Sequence, residues 1–177
     1  MLSNEIKKRY RAFWDRTAYE RCVLNISQRI GKGVVMQGAS YIDRWTDLER
    51  RTRDAQESYV NFKYYAEGFS TVFTNFGPGS MSACIGGDFE LAPSTIWFDR
   101  NPVIKDWSEV PELKLYEDSL MWQFMTELTE MLCKASQRTY FTSMADIGGS
   151  MDILSSLRGA EQLLCDLIDY PEEVKKV

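Results

Sequence analysis

The chain has 177 residues, of which 44% are hydrophobic and 13% aromatic, and its formal net charge is -5. This apolar content is sufficient for one globular core and excludes general disorder, so we expect a single domain or part of one. The basic residues are spread among acidic ones rather than gathered in one tract, which argues against a nucleic-acid-binding surface.

Two dense basic clusters fall in segments with helical patterns, and we interpret both as solvent-exposed helix faces. The clusters are Lys7-Lys8-Arg9 with Arg11, and Arg50-Arg51 with Arg53. No apolar run approaches the ~20 residues that span a bilayer, and the N-terminal stretch lacks the apolar centre of a signal peptide. We therefore expect a soluble, cytoplasmic protein with no membrane partner and no nucleic-acid partner.

The chain has four cysteines and no histidine. Cys22, Cys84, Cys133 and Cys165 lie far apart and form no Cys-x-x-Cys pair. This spacing predicts buried free thiols rather than a metal site within the chain.

The first elements in chain order are a helix, a strand and a second helix. Residues 3–17 have a helical stripe made of Ile6, Tyr10, Phe13 and Trp14, and residues 21–27 are interpreted as a short buried strand. Thr46 and Glu49 have capping-box spacing, which predicts a helix that runs to about residue 66 and ends before a glycine. Its predicted inward residues are Leu48, Ala55, Tyr59 and Phe62.

The next elements alternate between extended and helical patterns. Strands are predicted at 70–76 and 139–145, with an extended piece at 94–98. Helices are predicted at about 118–136, 151–157 and 159–168, the first with an inward stripe made of Leu120, Phe124, Leu128, Met131 and Leu132. Strands separated by helices favour an α/β fold with parallel strands and surrounding helices.

Two loops that follow predicted strands share one pattern. NFGPGSM at 75–81 and DIGGSM at 146–151 each place a polar residue first, then an apolar residue, glycines and Ser-Met. The glycines permit close backbone approach, and Ser80 and Ser150 can cap the helices that follow, leaving amide groups directed at a ligand. The alternative is that both are structural turns without a ligand. Neither has the Gly-Lys-Ser/Thr ending of a P-loop.

The C-terminal third carries a more specific pattern. Residues 146–174 read DIGGSMDILSSLRGAEQLLCDLIDYPEEV, which combines a glycine turn, a helix ending in Leu-Arg-Gly, an acidic residue and Pro-Glu-x-Val. This combination resembles the uroporphyrinogen decarboxylase superfamily. TNFGPGSM at 74–81 and TIWF at 95–98 are similar to the branch that contains cobalamin-dependent and coenzyme M methyltransferases, so the resemblance extends from about residue 21 to the end.

The resemblance implies that residues 1–177 are the N-terminal half of one (β/α)8 TIM-type barrel, preceded by a leading helix at 1–20 and lacking the C-terminal half. A complete barrel takes ~250 residues, and the helix opened by Pro171 is short. A half-barrel exposes strand edges and apolar faces, so we expect a homo-oligomer.

Three departures from the decarboxylase pattern affect the expected activity. Ser27 and Gly31 stand where the decarboxylases carry the two arginines that hold substrate propionates. Asn75 stands where they carry the catalytic aspartate, and an amide cannot supply that negative charge. Ser155 stands in place of their active-site tyrosine. Uroporphyrinogen decarboxylation is therefore not expected.

The methyltransferase branch typically uses zinc, held by His-x-Cys and a later Cys, to activate a thiol. Those ligands belong to the second half of the barrel. The resemblance thus implies no cofactor within this chain, with corrinoid and zinc as cofactors of a complete protein and an inactive chain in isolation.

The function implied is that of the N-terminal portion of a corrinoid-dependent methyltransferase relative, which transfers a methyl group to a thiol or similar acceptor. Asn75 and Asp146 are the candidate catalytic residues, orienting a small-molecule or corrinoid ligand, and Trp97 is either an apolar pocket wall or a core residue. The other candidate substrate-binding residues are Ser150, Gly77, Gly79, Gly148 and Gly149.

Two alternative functions stay open: a non-catalytic module that binds a tetrapyrrole or small anion, and a decarboxylase with altered substrate. Arg158 resembles the arginine of the family's Leu-Arg-Gly motif. We expect it to be structural, paired with a nearby acid such as Glu161 or Asp152.

Overall fold

A computed structural model of the chain describes residues 2–17, 19–32 and 40–177. Within these ranges the fold is mixed α/β. The helices are α1 Asn4–Trp14, α2 Tyr41–Thr46, α3 Leu48–Tyr59, α4 Ser80–Cys84, α5 Leu120–Ser136, α6 Ser150–Arg158, α7 Ala160–Asp169 and α8 Pro171–Lys176. The strands are β1 Asn25–Arg29, β2 Phe62–Ala66, β3 Thr71–Phe73, β4 Glu90–Leu91, β5 Ile96–Trp97 and β6 Phe141–Ser143.

The central feature for function is a parallel pair formed by β3 and β6. Thr71 pairs with Phe141, and Phe73 pairs with Ser143. Helices α3 and α5 pack against this pair, as a parallel sheet with surrounding helices requires. The described residues form no closed barrel, and two further two-stranded sheets, β1–β2 and β4–β5, are antiparallel. The expectation of parallel strands is therefore confirmed for one pair and wrong for the other two.

The antiparallel β1–β2 sheet corrects two predictions. The strand expected to be buried at 21–27 lies at Asn25–Arg29 and is exposed along its whole length. The helix expected to reach residue 66 ends at Tyr59, and residues 62–66 form β2. Three aromatic residues in the five of β2 favour a strand, and pairing with β1 satisfies their backbone groups. Helical spacing in the sequence could not reveal that pairing.

Helix α5 lies at the centre of the main core. Its buried residues are Met121, Met125, Leu128 and Leu132, a stripe at heptad spacing. Leu128 and Leu132 were expected to be inward, whereas Leu120 is exposed and Phe124 and Met131 are only partly buried. Burying four such side chains contributes on the order of 1.5–3 kcal/mol each, which fixes α5 behind β3 and β6.

A second core lies between helices α6 to α8 and the chain segment that precedes α5. It contains Ile104, Leu154, Leu157, Leu163 and Val174. At its edge the Arg158 guanidinium is structural, as expected, but its partner is Asp166 rather than Glu161 or Asp152. Arg158 Nε donates to Asp166 Oδ2 at 2.5 Å, and Arg158 also donates to the Ile104 carbonyl.

The N-terminal helix is held by a buried carboxylate. Glu67 is 2% exposed and accepts two hydrogen bonds of 2.7 Å from Arg21 and one from the Leu24 amide. Arg9 of α1 lies 3.4 Å from the same carboxylate. Of the predicted α1 stripe, Ile6 and Tyr10 are partly buried, whereas Phe13 and Trp14 are exposed.

Three other sequence expectations can be compared with the described residues. Of the cysteines, only Cys84 is buried, and Cys22, Cys133 and Cys165 are exposed, so the expectation of buried thiols is wrong for three of them. Arg9 is also largely buried, contrary to a fully solvated basic cluster. No helix in the described part of the chain has the length and hydropathy needed to cross a bilayer.

Candidate ligand-binding rim

Two loops leave the same edge of the parallel pair. β3 ends at Phe73 and β6 ends at Ser143, and these two residues are paired in register. The chain then runs through 74–79 into α4 and through 144–149 into α6. Because parallel strands end together, the two loops of similar sequence become neighbours, and we call them together the rim.

Each loop is closed by the same short hydrogen bond. Asn75 Oδ1 accepts from the Gly77 amide at 2.9 Å, and Asp146 Oδ1 accepts from the Gly148 amide at 2.9 Å. These are Asx turns, in which a side-chain oxygen stands in for a backbone carbonyl. Gly77 and Gly148 have φ angles of 94° and 64°, a region that favours glycine. The shared sequence pattern thus produces the same turn at the start of each loop.

The two loops also contact each other. Ser80 Oγ donates to the Asp146 carbonyl at 2.9 Å. A Cβ atom added at Gly148 would lie 3.0 Å from the Pro78 carbonyl oxygen, so Gly148 permits a close approach that other residues would obstruct. Asn75 and Asp146 therefore lie in loops that are directly joined, as a common site requires.

The predicted capping role of the two serines is wrong. Gly79 and Gly149 occupy the N-cap positions, without a side-chain cap, and Ser80 and Ser150 are the first helical residues. Ser80 joins the loops instead, while Ser150 is exposed. At the start of α6, the Asp152 carboxylate accepts from the Gly149 amide at 3.2 Å, which supplies the N-terminal negative charge that a helix favours.

Arg51 supports the first loop, and the sequence reading missed it. It had been interpreted as part of an exposed basic face, but its guanidinium carbon lies 4.0 Å from the centre of the Phe76 ring, and Arg51 donates to the carbonyls of Asn75 and Trp45. Burial lowers the pKa of Arg51 to about 10, so it stays positively charged at neutral pH. The sequence signal that could have indicated this is the position of Arg51 three residues after Leu48, a spacing that places both on the same side of the helix.

Trp97 does not lie beside Asn75 and Asp146. The neighbouring Phe98 is buried and packs so closely on Gly79 that a Cβ atom there would lie 2.5 Å from the ring. Trp97 lies between buried Ile96 and Phe98, is 41% exposed, and has the Arg100 guanidinium over its ring at 4.8 Å. Strand alternation therefore directs Trp97 away from the face that contacts the first loop. Trp97 is also not a core residue, which was the alternative prediction, because 41% of it is exposed.

The rim offers hydrogen-bonding groups and apolar surface. The Asn75 amide nitrogen and the second Asp146 oxygen make no hydrogen bond to the described residues. The second loop exposes Met144 and Ile147, at 73% and 47%. No group of three or more His, Cys, Asp or Glu residues suited to a metal ion occurs in the described ranges. The rim can thus orient a polar group beside an apolar body.

Comparison with known proteins gives no match to a family model, a characterised protein or a solved structure.

Proposed function

We propose that the chain supplies the ligand-binding rim of a uroporphyrinogen decarboxylase-like (β/α)8 barrel. In this proposal the protein is a relative of the corrinoid-dependent methyltransferases, which transfer a methyl group to a thiol or similar acceptor. Strands β3 and β6 are neighbouring barrel strands, and Asn75 and Asp146 orient the ligand above their carboxyl ends.

The observation that supports the proposal is the pair of matching Asx turns on adjacent parallel strands, joined by the hydrogen bond from Ser80 to Asp146. Ligands of α/β folds bind at the carboxyl ends of parallel strands. A glycine turn could form for structural reasons alone. Two equivalent turns held against each other present the Asn75 amide nitrogen as a donor and the second Asp146 oxygen as an acceptor.

The chemistry of the rim suits a macrocycle better than a metal ion. The exposed side chains of Met144, Ile147 and Met151 offer an apolar surface to a flat ring, while Asn75 and Asp146 offer hydrogen bonds to its peripheral groups. A bound corrinoid would supply the methyl group. The described residues do not provide a zinc donor set, so no step is assigned to zinc.

Binding without catalysis is the second candidate function. The Oδ1 atoms of Asn75 and Asp146 are both occupied by amides of their own loops, which makes these side chains loop formers as well as ligand contacts. A module that holds a tetrapyrrole or small anion needs no more than this. A decarboxylase with altered substrate has less support, since Asn75 lacks the charge that such chemistry uses.

Titration with methylcobalamin, followed by absorbance, tests the proposal. Asp146→Asn keeps an oxygen for the Gly148 amide and removes the charge, whereas Asp146→Ala removes both. If Asp146 contacts the ligand, both variants should weaken binding by about tenfold, the effect of one charge-assisted hydrogen bond. Far-ultraviolet circular dichroism provides the folding control.

Four results would separate the candidates. Absence of methylcobalamin binding at millimolar concentration overturns the corrinoid proposal. Binding of a porphyrin instead favours the tetrapyrrole module. Full binding by Asp146→Asn together with loss in Asp146→Ala assigns Asp146 to the loop structure alone. Release of carbon dioxide from a carboxylated substrate would favour the decarboxylase.

A further inference from the structure

A cavity lies at the end of the β3–β6 pair opposite the rim. Its volume is about 790 Å³, within the range of about 300–1,000 Å³ typical of small-molecule sites. It is lined by residues 68–70, which precede β3, by residues 138–142 around the start of β6, and by the first turn of α1. The cavity is therefore at the amino ends of the strands, while the rim is at their carboxyl ends.

The charge of the cavity contrasts with that of the chain. The net charge of the chain is -5, yet no Asp or Glu occurs among the described residues that line the cavity, and two cations, Lys7 and Arg138, do. Neither cation has an ion-pair partner in the described part of the chain. The cavity is thus a locally positive site suited to an anion.

The negative end of α5 does not cancel this charge. The helix ends at the cavity, and its last turn would normally present unpaired carbonyl groups. Here the carbonyls of Leu132, Cys133 and Ala135 each accept a hydrogen bond from a side chain. The donors are Tyr140, Ser136 and Gln56.

Two buried hydroxyl groups provide an independent sign of a ligand. Ser70 Oγ and Thr142 Oγ1 are buried without a hydrogen-bond partner in the described structure, and both residues line the cavity. Val72 pairs with Thr142 and lies two positions after Ser70, so the strand alternation places both hydroxyls on one face. An unsatisfied buried hydroxyl costs about 1–3 kcal/mol, a cost that a ligand hydrogen bond would remove.

The apolar part of the lining is largely aromatic. Phe69 and Phe141 pack edge to face with ring centres 5.1 Å apart, and Tyr64 and Tyr140 complete the aromatic lining. Tyr140 lies two positions before Thr142, so strand alternation places its ring on the same face as the two hydroxyls. Rings in this arrangement favour contact with another flat aromatic group.

We propose that this cavity binds a hydroxylated aromatic carboxylate. The carboxylate pairs with the exposed Lys7 and Arg138, the aromatic body packs on Tyr64 and Tyr140, and the ligand hydroxyl bonds with Ser70 and Thr142. This site is separate from the rim and does not depend on the function proposed for it.

Calorimetric titration with three related probes tests the assignment. The probes are 6-hydroxy-2-naphthoate, 2-naphthoate, which lacks the hydroxyl, and 2-naphthol, which lacks the carboxylate. We expect the first to bind most tightly and each deletion to weaken binding by about tenfold, as for a lost charged or buried hydrogen bond. Equal binding of 2-naphthol and 6-hydroxy-2-naphthoate would overturn the proposal.

Variants assign each end of the ligand. Lys7→Gln and Arg138→Asn should weaken the binding of both naphthoates by about three- to tenfold and leave the binding of 2-naphthol unchanged. Asparagine is chosen at position 138 because it tolerates the φ of 68° there. Lys8→Gln is the matched control, since Lys8 lies on the same helix outside the cavity lining. Equal weakening by Lys7→Gln and Lys8→Gln would overturn the assignment of Lys7.

Thr142→Val tests the inner end. Valine has the shape of threonine without the hydroxyl, so the variant should weaken 6-hydroxy-2-naphthoate by about tenfold and leave 2-naphthoate unaffected. The variant should be at least as thermally stable as the parent chain, because it removes an unsatisfied buried group. If Thr142→Val weakens the binding of both probes, or of neither, the proposed role of Thr142 is overturned. Asp146→Asn should leave all three probes unaffected and thereby separate this site from the rim.

Discussion

Gly148 combines two constraints that its neighbour Gly149 lacks. Its φ of 64° is in the left-handed region, and an added Cβ would lie 3.0 Å from the backbone oxygen of Pro78. Gly149 has an extended conformation, and an added Cβ there would approach only the Asp152 carboxylate, at 3.3 Å. The contact between the two loops thus depends on one glycine of the pair.

Alanine at each position measures this difference. Gly148→Ala should lower the free energy of unfolding by about 2 kcal/mol, since a left-handed alanine costs roughly 1–2 kcal/mol before the contact with Pro78 is counted. Gly149→Ala, the control, should cost less than about 1 kcal/mol. Urea denaturation followed by tryptophan fluorescence provides the measurement. Equal losses would show that the loops do not depend on this close approach.

Residue types alone predicted the rim only in part. The polar residue and glycines at equal offsets correctly predicted that Asn75 and Asp146 lie in equivalent loops. The serines were assigned wrongly, because an N-cap and a first helical residue differ by one position and the sequence does not show which one the turn selects. Arg51 was missed because its packing on Phe76 joins residues 25 positions apart.

At the level of elements, helix α5 ends in an unusual way. Its C-cap residue, Gln137, has φ 42° and ψ 33°, a left-handed conformation at a position where glycine is most common. Arg138 follows with a φ of 68°. This turn directs the chain back into β6, and it places Arg138 beside the cavity at the amino ends of the strands.

A pair of glutamine-to-glycine substitutions tests the cap. Gln137→Gly should raise the free energy of unfolding by about 0.5 kcal/mol, because relief of the left-handed strain exceeds the added entropy of the unfolded chain. Gln123→Gly, within the same helix, should lower it by about 1 kcal/mol. Thermal unfolding followed by circular dichroism shows whether each variant is more or less stable than the parent chain. A loss of stability in both variants would contradict the cap assignment.

Elements with a long, regular pattern were predicted best. Helix α5 ends at the predicted residue, and α6 and α7 lie close to their predicted ranges, because each has a sustained apolar stripe and a polar start. Strand β2 was mistaken for helix, because its stabilisation comes from pairing with β1, more than 30 residues earlier. The antiparallel sheets were missed for the same reason: strand direction is a tertiary property.

At the scale of the whole molecule, two buried carboxylates connect distant segments. Glu67 is held by Arg21 and Arg9, and Asp166 is held by Arg158. The hydrogen bond from Arg21 is the main reason that the pKa of Glu67 is lowered, and the hydrogen bond from Arg158 does the same for the pKa of Asp166. Both carboxylates favour the folded state only while they are ionised.

Stability should therefore fall in acid. When the pKa of a carboxylate is lower in the folded state than in the unfolded state, its contribution to stability is fully present above the unfolded-state pKa. This contribution is lost as the pH falls through the folded-state pKa. We expect the urea midpoint to decline below about pH 5. Glu67→Gln should lower the midpoint at pH 7 and flatten the decline. Glu130→Gln, which removes an exposed ion pair with Lys134, should change neither by much.

The face of the β3–β6 pair opposite α5 exposes apolar side chains. Phe73 and Phe141 are about half exposed, and both lie on this face because they occupy alternate positions of the paired strands. Apolar patches of this kind are commonly covered by another protein surface. The expectation of a homo-oligomer stays a prediction, and this face is the surface to test.

Light scattering coupled to size-exclusion chromatography measures the oligomeric state. We expect a dimer or larger species at micromolar concentration, and a shift toward monomer in the double variant Phe73→Ser/Phe141→Ser. Ile168→Ser is the control, because Ile168 is the most exposed large apolar residue described and lies on α7. A compact monomer for the parent chain would end the prediction.

The pairing of Thr71 with Phe141 has a consequence for protein synthesis. The two strands are separated by 70 positions in the chain, which a ribosome adds in roughly 4 to 14 s at about 5–20 residues per second. Throughout that interval β3 lacks its partner strand, and the first glycine loop lacks its contact with the second. The edge of β3 is open to pairing with other chains during this interval, so we expect chaperones to bind the nascent chain while residues 74–143 are being added.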